Sequence, residues 1–300
     1  MRAAYREEPC RTALNRVTGM SFNWSLNPYM GCAHRCAFCY VRGFERRADR
    51  PSDERYGTSV RVKVNVVEVL RAELHRRSWR HEVVAIGAAT DPYQPAEGRY
   101  RLTRGCITAL SDARTPFSLI TRGPLVVRDV DLLAEASRRA AVTVSVSVAT
   151  IDDELASRLE PGVAPPQQRL RAIRLLTDAG IAAGVALAPV LPGLTDAPRD
   201  LAAVLAAARE AGAVHAWSNV LNLRAGTREH FLSVLEREWP AEADRYRSLY
   251  PAGGSGYLRR TDAEPIERRL AAVRRGIPIR DRRRIVLSPE PEPEQLPLAM

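Results

Sequence analysis

The sequence is almost without lysine. Lys63 is the only lysine among 45 basic residues, so arginine carries nearly all of the positive charge, and the formal net charge is +10. This charge permits a nucleic acid or another polyanion as a partner, because a guanidinium group contacts phosphate through two parallel hydrogen bonds. A basic surface without a specific ligand also explains the composition. The charge therefore leaves both interpretations open.

The chain also lacks long apolar runs. No stretch approaches the ~20 apolar residues that a membrane-spanning helix needs, and residues 1–8 lack the apolar core of a signal peptide. We therefore expect a cytoplasmic protein with no membrane partner. Hydrophobic residues make up 45% of the chain and charged residues 27%, which is ordinary for a globular protein and excludes disorder of the whole chain.

Cysteine is scarce and unevenly spaced. Of the five cysteines, Cys32, Cys36 and Cys39 lie within eight residues, whereas Cys10 and Cys106 are isolated. An odd number of cysteines in a chain too large to need disulfides favours a reducing compartment and a metal site. Thiolate sulfur binds zinc, copper(I) and iron-sulfur clusters, and short spacings let one loop supply several sulfurs at little entropic cost.

A second pair of cysteines is missing. A closed zinc site has four ligands, usually as two pairs, whereas this chain has one C-x3-C-x2-C segment and His34 inside it as a nitrogen donor. Three cysteine ligands on an iron-sulfur cluster leave one iron without a protein ligand, and an open metal position is where a substrate or cosubstrate binds. Structural zinc remains the alternative.

Strand-like and helix-like segments alternate along most of the chain. Strands are predicted at 21–26, 83–89, 117–121, 142–149, 181–190 and 214–223, with helices at 102–113, 129–139, 152–159, 167–179, 200–211 and 228–239. A further strand and helix, at 59–65 and 66–77, follow the cysteine segment. This alternation indicates parallel strands joined by helical crossovers. Six such units are fewer than the eight of a closed barrel.

The strand predicted at 142–149 helps to choose between an open barrel and a doubly wound sheet. Valine occupies every second position, and Thr143, Ser145 and Ser147 lie between them. One face is therefore apolar and the other carries hydroxyl groups. A strand covered by helices on both faces is rarely so polar, so we favour a wide, incompletely closed barrel with a ligand in its lumen. Small hydroxyl residues filling a tight core are the alternative.

The same pattern suggests three regions. Residues 1–20 form an N-terminal arm, residues 21–240 the α/β core, and residues 241–300 a C-terminal extension. The extension contains an amphipathic helix at 264–275 and a Pro/Glu repeat at 289–294, which is expected to be a disordered, solvated tail.

The cysteine segment resembles that of the radical S-adenosylmethionine (radical SAM) superfamily. It has the spacing C-x3-C-x2-C, with Phe38 before the last cysteine and Tyr40 after it. Residues 27–29, 90–97, 120–122 and 188–189 narrow the resemblance to proteins similar to spore photoproduct lyase. The resemblance spans roughly residues 21–224 and implies an α/β fold, a partial (β/α)6 TIM-type barrel of the radical SAM type with short N- and C-terminal extensions.

This resemblance implies a cofactor and a reaction class. Cys32, Cys36 and Cys39 would hold a [4Fe-4S] cluster, and S-adenosylmethionine (SAM) would chelate the fourth iron. Reductive cleavage of SAM would give a 5′-deoxyadenosyl radical that abstracts hydrogen from an unidentified substrate. The partners implied are SAM and an electron donor such as a flavodoxin or ferredoxin.

The resemblance also suggests cofactor-binding residues beyond the cysteines. Phe38 would pack beside the cluster and adenine, Arg122 would pair with the methionine carboxylate, and Ser147, with Ser145 as its competitor, would bind the ribose or the methionyl amine. The complete set of expected cofactor contacts is Phe38, Tyr40, Thr90, Asp91, Arg122 and Ser147. An ion pair at Arg122 and an Asp-Pro turn at Asp91 are the structural alternatives.

Two other functions remain open. One is a non-enzymatic, zinc-stabilised nucleic-acid-binding protein. The other is repair of a DNA photoproduct, for which photoproduct lyase uses a cysteine as hydrogen donor to a product radical. Cys106 does not align with that donor and is predicted to be a buried helix cysteine. We therefore expect a radical SAM enzyme acting on another substrate.

Overall fold

A computed structural model describes residues 3–287 of the chain. The strands are β1 (Ala4–Glu8), β2 (Leu14–Arg16), β3 (Trp24–Leu26), β4 (Tyr29–Met30), β5 (Ser59–Lys63), β6 (Val84–Ile86), β7 (Phe117–Thr121), β8 (Val142–Ser147), β9 (Ala183–Val190), β10 (His215–Val220) and β11 (Arg280–Asp281). The Pro/Glu repeat predicted at 289–294 lies outside the described residues.

The helices alternate with these strands along most of the chain. They are α1 (Val41–Arg47), α2 (Val66–Leu74), α3 (Pro95–Tyr100), α4 (Leu102–Asp112), α5 (Val130–Arg139), α6 (Asp153–Leu159), α7 (Pro166–Asp178), α8 (Pro198–Glu210), α9 (Thr227–Glu238), α10 (Pro240–Leu249) and α11 (Arg260–Gly276). Short 3₁₀ turns occupy Pro124–Asp129 and Arg282–Arg284. Helices α3, α7, α8 and α10 begin at proline, which lacks the N–H that would be unpaired there.

The main sheet has eight strands in the order β11-β10-β9-β8-β7-β6-β3-β2. Neighbouring strands are parallel from β3 through β11, and β2 runs antiparallel to β3. Six strands, β3 and β6 to β10, therefore follow one another in chain order, as the βα pattern predicts. The predicted α/β fold class, with six parallel βα units in an unclosed sheet, is confirmed. Within residues 3–287 the end strands β2 and β11 do not pair with each other.

A second sheet of three strands supports the cysteine segment. Its order is β1-β5-β4, with β1 parallel and β4 antiparallel to β5. Strand β5 corresponds to the strand predicted at 59–65, but it belongs to this small sheet. Because β3 lies in the main sheet and β4 in the small one, the chain passes between the two sheets directly before the first cysteine of the segment.

The main core lies between the large sheet and its helices. Val142, Val144 and Val146 of β8 are buried in this core, as the alternation in their strand predicts. Six of the strands and helices given above were not predicted: β1, β2, β4, β11, α3 and α10. Within residues 3–287 every helix is too short or too polar to span a bilayer.

Candidate active site

The cysteine loop, residues 31–40, connects β4 to α1 at the carboxyl ends of the main-sheet strands. Cys32 and Cys36 are buried, Cys39 is partly exposed, and all three are free thiols. The carboxyl ends of the strands are where (β/α) barrels carry their functional residues. The loop therefore lies where its sequence position after the first strand predicts.

Two glycines let other segments approach the loop backbone closely. Gly57 has φ +77°, and a Cβ there would lie 2.3 Å from the carbonyl oxygen of Cys32. A Cβ at Gly162 would lie 2.5 Å from the carbonyl oxygen of Ala33, and the Gly162 amide donates a 3.0 Å hydrogen bond to His34 O. Any side chain at either position would displace the loop.

Gln94 and Thr90 hold the loop from the segment that follows β6. The Thr90 hydroxyl donates a 2.7 Å hydrogen bond to Gly31 O, and the Gln94 amide donates to the same oxygen and to the Thr90 hydroxyl. The Ala33 amide in turn donates to Gln94 Oε1 at 2.9 Å. Gln94 is completely buried, so these hydrogen bonds replace water that it cannot reach. Thr90 therefore contacts the loop backbone directly.

Asp91 joins the loop to β7. Its carboxylate accepts hydrogen bonds from the Thr121 hydroxyl and the Arg122 amide, each at 2.6 Å, and His34 Nδ1 lies 3.2 Å away. Burial would raise the pKa of Asp91, but the His34 charge and these hydrogen bonds outweigh it and lower the pKa to about 2. The Asp91 carboxylate is thus ionised, and it holds His34 of the cysteine loop against the carboxyl end of β7.

Arg122 lies against the loop at Phe38. Its guanidinium carbon is 5.4 Å from the centre of the buried Phe38 ring, a cation–π arrangement. Nε donates to Glu160 Oε1 and one Nη donates to the Ala188 carbonyl oxygen, both at 2.6 Å. Arginine has five N–H donors, so three of those on Arg122 have no hydrogen-bond partner among residues 3–287. The predicted residues Phe38 and Arg122 therefore contact each other beside Cys36.

Glu160, which the sequence patterns did not indicate, places a buried carboxylate next to Arg122. Its second carboxylate oxygen lies 2.8 Å from Arg169, and both side chains are almost fully buried. Arg169 also donates to the Ser147 carbonyl oxygen at 2.9 Å. One carboxylate therefore links Arg122 to Ser147 through Arg169. No pattern marks Glu160, because an acidic residue at the end of a helix is usually exposed.

The hydroxyl row of β8 is divided among different partners. Arg282 donates to the Thr143 hydroxyl at 3.1 Å, and the Trp217 indole donates to the Ser145 hydroxyl at 3.2 Å. Within residues 3–287 no hydrogen bond involves the hydroxyl of Ser147, the residue closest to the carboxyl end of the strand. Of the three hydroxyls in this row, only that of Ser147 has no hydrogen-bond partner among the described residues.

Tyr40 follows the last cysteine and is the most exposed of the predicted cofactor contacts, with 46% of its surface accessible. Its hydroxyl donates to the Ala88 carbonyl oxygen, in the segment after β6, and its ring packs edge-on against Phe44. Tyr40 therefore bridges the loop and the end of β6 at the solvent boundary.

The three thiols are soft ligands of the kind that bind zinc or an iron-sulfur cluster. Among residues 3–287 no group of three or more His, Cys, Asp or Glu side chains is arranged around a single point where a metal ion would lie. Burial raises the pKa of the Cys36 and Cys39 thiols, so their thiolates need a nearby positive centre to form. Three soft sulfur donors spread along one buried loop fit an iron-sulfur cluster with one iron left open.

The radical SAM superfamily profile matches residues 26–206, more than half of the chain, and this match includes the cysteine loop and most of the barrel. The chain belongs to the radical SAM superfamily. Radical SAM proteins normally bind a [4Fe-4S] cluster and SAM, and superfamily membership supports an enzyme. The resemblance noted from the sequence is confirmed.

The chain is also similar to other proteins and to solved structures. An uncharacterized protein of Mycobacterium tuberculosis is 42% identical over 272 residues, 90% of this chain and 79% of its own. A protein of Acidianus two-tailed virus is 29% identical over 228 residues, 72% of this chain and 73% of its own. Spore photoproduct lyase complexed with dinucleoside spore photoproduct has a TM-score of 0.69 at 16% identity, covering 92% of this chain and 81% of that one. That likeness concerns the fold.

Proposed function

We propose that this radical SAM protein holds a [4Fe-4S] cluster on Cys32, Cys36 and Cys39 and binds SAM at the remaining iron. The observation that supports this most strongly is the three-thiol loop fixed at the carboxyl end of a six-unit parallel barrel. When bound, the cluster supplies the electron that cleaves the sulfonium bond of SAM and so initiates hydrogen abstraction from a substrate. The electron donor would be a flavodoxin or ferredoxin.

The chain's own residues orient the cofactor and exclude water. Phe38 and Arg122 form one wall, in which the three unused N–H donors of Arg122 would bind the methionine carboxylate. Ser147 would donate to the ribose or the methionyl amine group. Thr90 and Asp91 would act mainly by holding the loop, because their oxygens already have partners within it or beside it.

The structure offers little support for photoproduct repair. Cys106 is completely buried in the main core on α4, among apolar side chains such as Ile107 and Leu110. Cys10 lies in the segment between β1 and β2, where its backbone amide donates a hydrogen bond to Asn65 Oδ1. A cysteine that donates hydrogen to a product radical has to reach the substrate. We therefore propose that the substrate is not a DNA photoproduct and leave it unidentified.

Anaerobic purification tests the proposal. We expect a brown protein with about four irons per chain that, after reduction, converts SAM to 5′-deoxyadenosine and methionine. Iron content, electron paramagnetic resonance of the reduced protein and chromatography of the products measure these properties. A colourless protein with one zinc per chain would contradict the proposal and favour the zinc-stabilised nucleic-acid-binding alternative.

A pair of serine variants tests the SAM contact. Ser147→Ala is expected to raise the Kd for SAM roughly two- to tenfold, the loss of one hydrogen bond. Ser145→Ala is the matched control, because the Ser145 hydroxyl already accepts a hydrogen bond from Trp217 and lies farther from the carboxyl end of β8, so its loss should change the Kd less than about twofold. Equilibrium binding of SAM to the cluster-containing protein gives both values. An equal change in the two variants would refute the assignment of Ser147.

A further inference from the structure

A groove separate from the cysteine loop runs along the C-terminal part of the described chain. It lies between α11, the carboxyl end of β10 and the segment 279–285, and has a volume of about 1100 Å³. Strand β11 pairs with only His215 and Ala216 of β10. The carboxyl end of β10 therefore extends past β11 and lines the groove. The proposed radical chemistry assigns no role to this groove.

The groove carries an excess of positive charge. Arg274, Arg275, Arg280, Arg283 and Arg284 line it, against the carboxylates of Glu267 and Asp281. Asp281 lies 3.4 Å from Arg274 and thus offsets that charge. Within residues 3–287 the side chains of Arg275, Arg280 and Arg284 form neither an ion pair nor a hydrogen bond, and all three are exposed. Unpaired guanidinium groups around a concave surface strengthen its positive potential.

An exposed aromatic ring lies in the same groove. Tyr257 is 59% exposed, although large aromatic side chains usually bury most of their surface. The guanidinium carbon of Arg224 is 5.7 Å from the centre of its ring, which leaves the ring in an arginine-rich environment. This observation is independent of the unpaired arginines and points to a planar ligand group.

We propose that this groove binds a single strand of nucleic acid, with phosphates on Arg275, Arg280 and Arg284 and a base stacked on Tyr257. Positively charged grooves with aromatic stacking surfaces are the common means of binding single strands without sequence preference. A flat anionic membrane would contact a convex basic surface better than a concave one. A free phosphate ion would use the arginines but not the aromatic ring.

Fluorescence anisotropy with a labelled 20-nucleotide oligodeoxythymidine, repeated with oligouridine, tests this inference on the full-length protein. The triple variant Arg275→Gln, Arg280→Gln, Arg284→Gln should weaken binding at least tenfold. The slope of log K against log salt should become less steep by about 2, since each lost phosphate contact removes ~0.7 for single strands. Tyr257→Ala should weaken binding at least fivefold, and Tyr257→Phe should retain it.

A second triple variant separates the groove from overall charge. Arg76→Gln, Arg77→Gln, Arg80→Gln changes three exposed arginines beyond α2, and like the groove variant it lowers the formal charge from +10 to +7. We expect it to change the affinity less than threefold. Equal weakening by both triple variants, no effect of Tyr257→Ala, or stronger binding to phosphatidylserine vesicles than to oligonucleotide would overturn the inference. These measurements require no SAM cleavage, so they fail or succeed separately from the proposed function.

Discussion

Replacing Cys36 by alanine is expected to abolish iron binding, whereas Cys106→Ala should retain about four irons per chain. Cys36 lies in the middle of the cysteine loop, and with only two thiols left the loop would not hold a cluster with an open iron. Cys106 lies on α4 and packs in the main core. Within residues 3–287 its thiol forms no hydrogen bond to the cysteine loop. Its truncation removes one sulfur from an apolar environment.

Iron analysis and visible absorption after anaerobic reconstitution measure the effect, and thermal unfolding verifies that both variants fold. The two substitutions are chemically identical, so a difference in iron content reports on position alone. Loss of iron in the Cys106 variant, or full retention in the Cys36 variant, would show that the ligands are assigned incorrectly.

Glu160→Gln is expected to lower the free energy of unfolding by about 3–5 kcal/mol, because it removes the counter-charge of the buried Arg169 guanidinium and of the partly exposed Arg122 guanidinium. The variant should also bind SAM more weakly, since Arg122 loses the partner that orients it. The amide preserves the volume of the side chain, so the change removes charge and leaves packing nearly intact. Urea denaturation gives the free energy, and equilibrium binding gives the Kd.

The matched control is Glu154→Gln in α6, the helix that Glu160 directly follows. Glu154 pairs with Arg158 one turn away, and 75% of its side chain is exposed. Exposed pairs contribute little, so we expect a loss of less than about 0.5 kcal/mol. If Glu160→Gln costs no more than Glu154→Gln, the buried ion pairs do not stabilise the site.

The cost of Glu160→Gln should also depend on pH. Burial would raise the pKa of Glu160, but Arg169 and Arg122 outweigh it and hold the pKa below its ordinary value of 4.5. A carboxyl group with a lowered folded-state pKa contributes stability that is fully present above its unfolded-state pKa and is lost as the pH falls through the folded-state value. The stability difference between the two proteins should therefore be constant above about pH 5 and shrink below pH 4.5.

Local patterns in the chain predicted the main elements well. The strand predicted at 117–121 has those bounds in β7, and the helix predicted at 102–113 differs by one residue from α4. Both are continuous segments whose apolar residues face one large core, so periodicity reports their environment directly. Strand β2, with three residues, and α10, with only Ala243 and Tyr246 buried, carry too few apolar positions for such a signal.

The sequence by itself determined the three-cysteine segment and the succession of six parallel βα units, because loop spacing and hydrophobic period are local properties of the chain. Only the tertiary structure decided how the loop is held and which polar groups remain available. Gln94 contacts the loop across 61 residues of sequence, and the Trp217 indole donates to the Ser145 hydroxyl across 72, whereas the Ser147 hydroxyl has no partner among the described residues. Such contacts depend on which side chains folding brings together, and no spacing along the chain encodes them. Together the two levels give one loop with three cysteines and the buried charges that lie beside it.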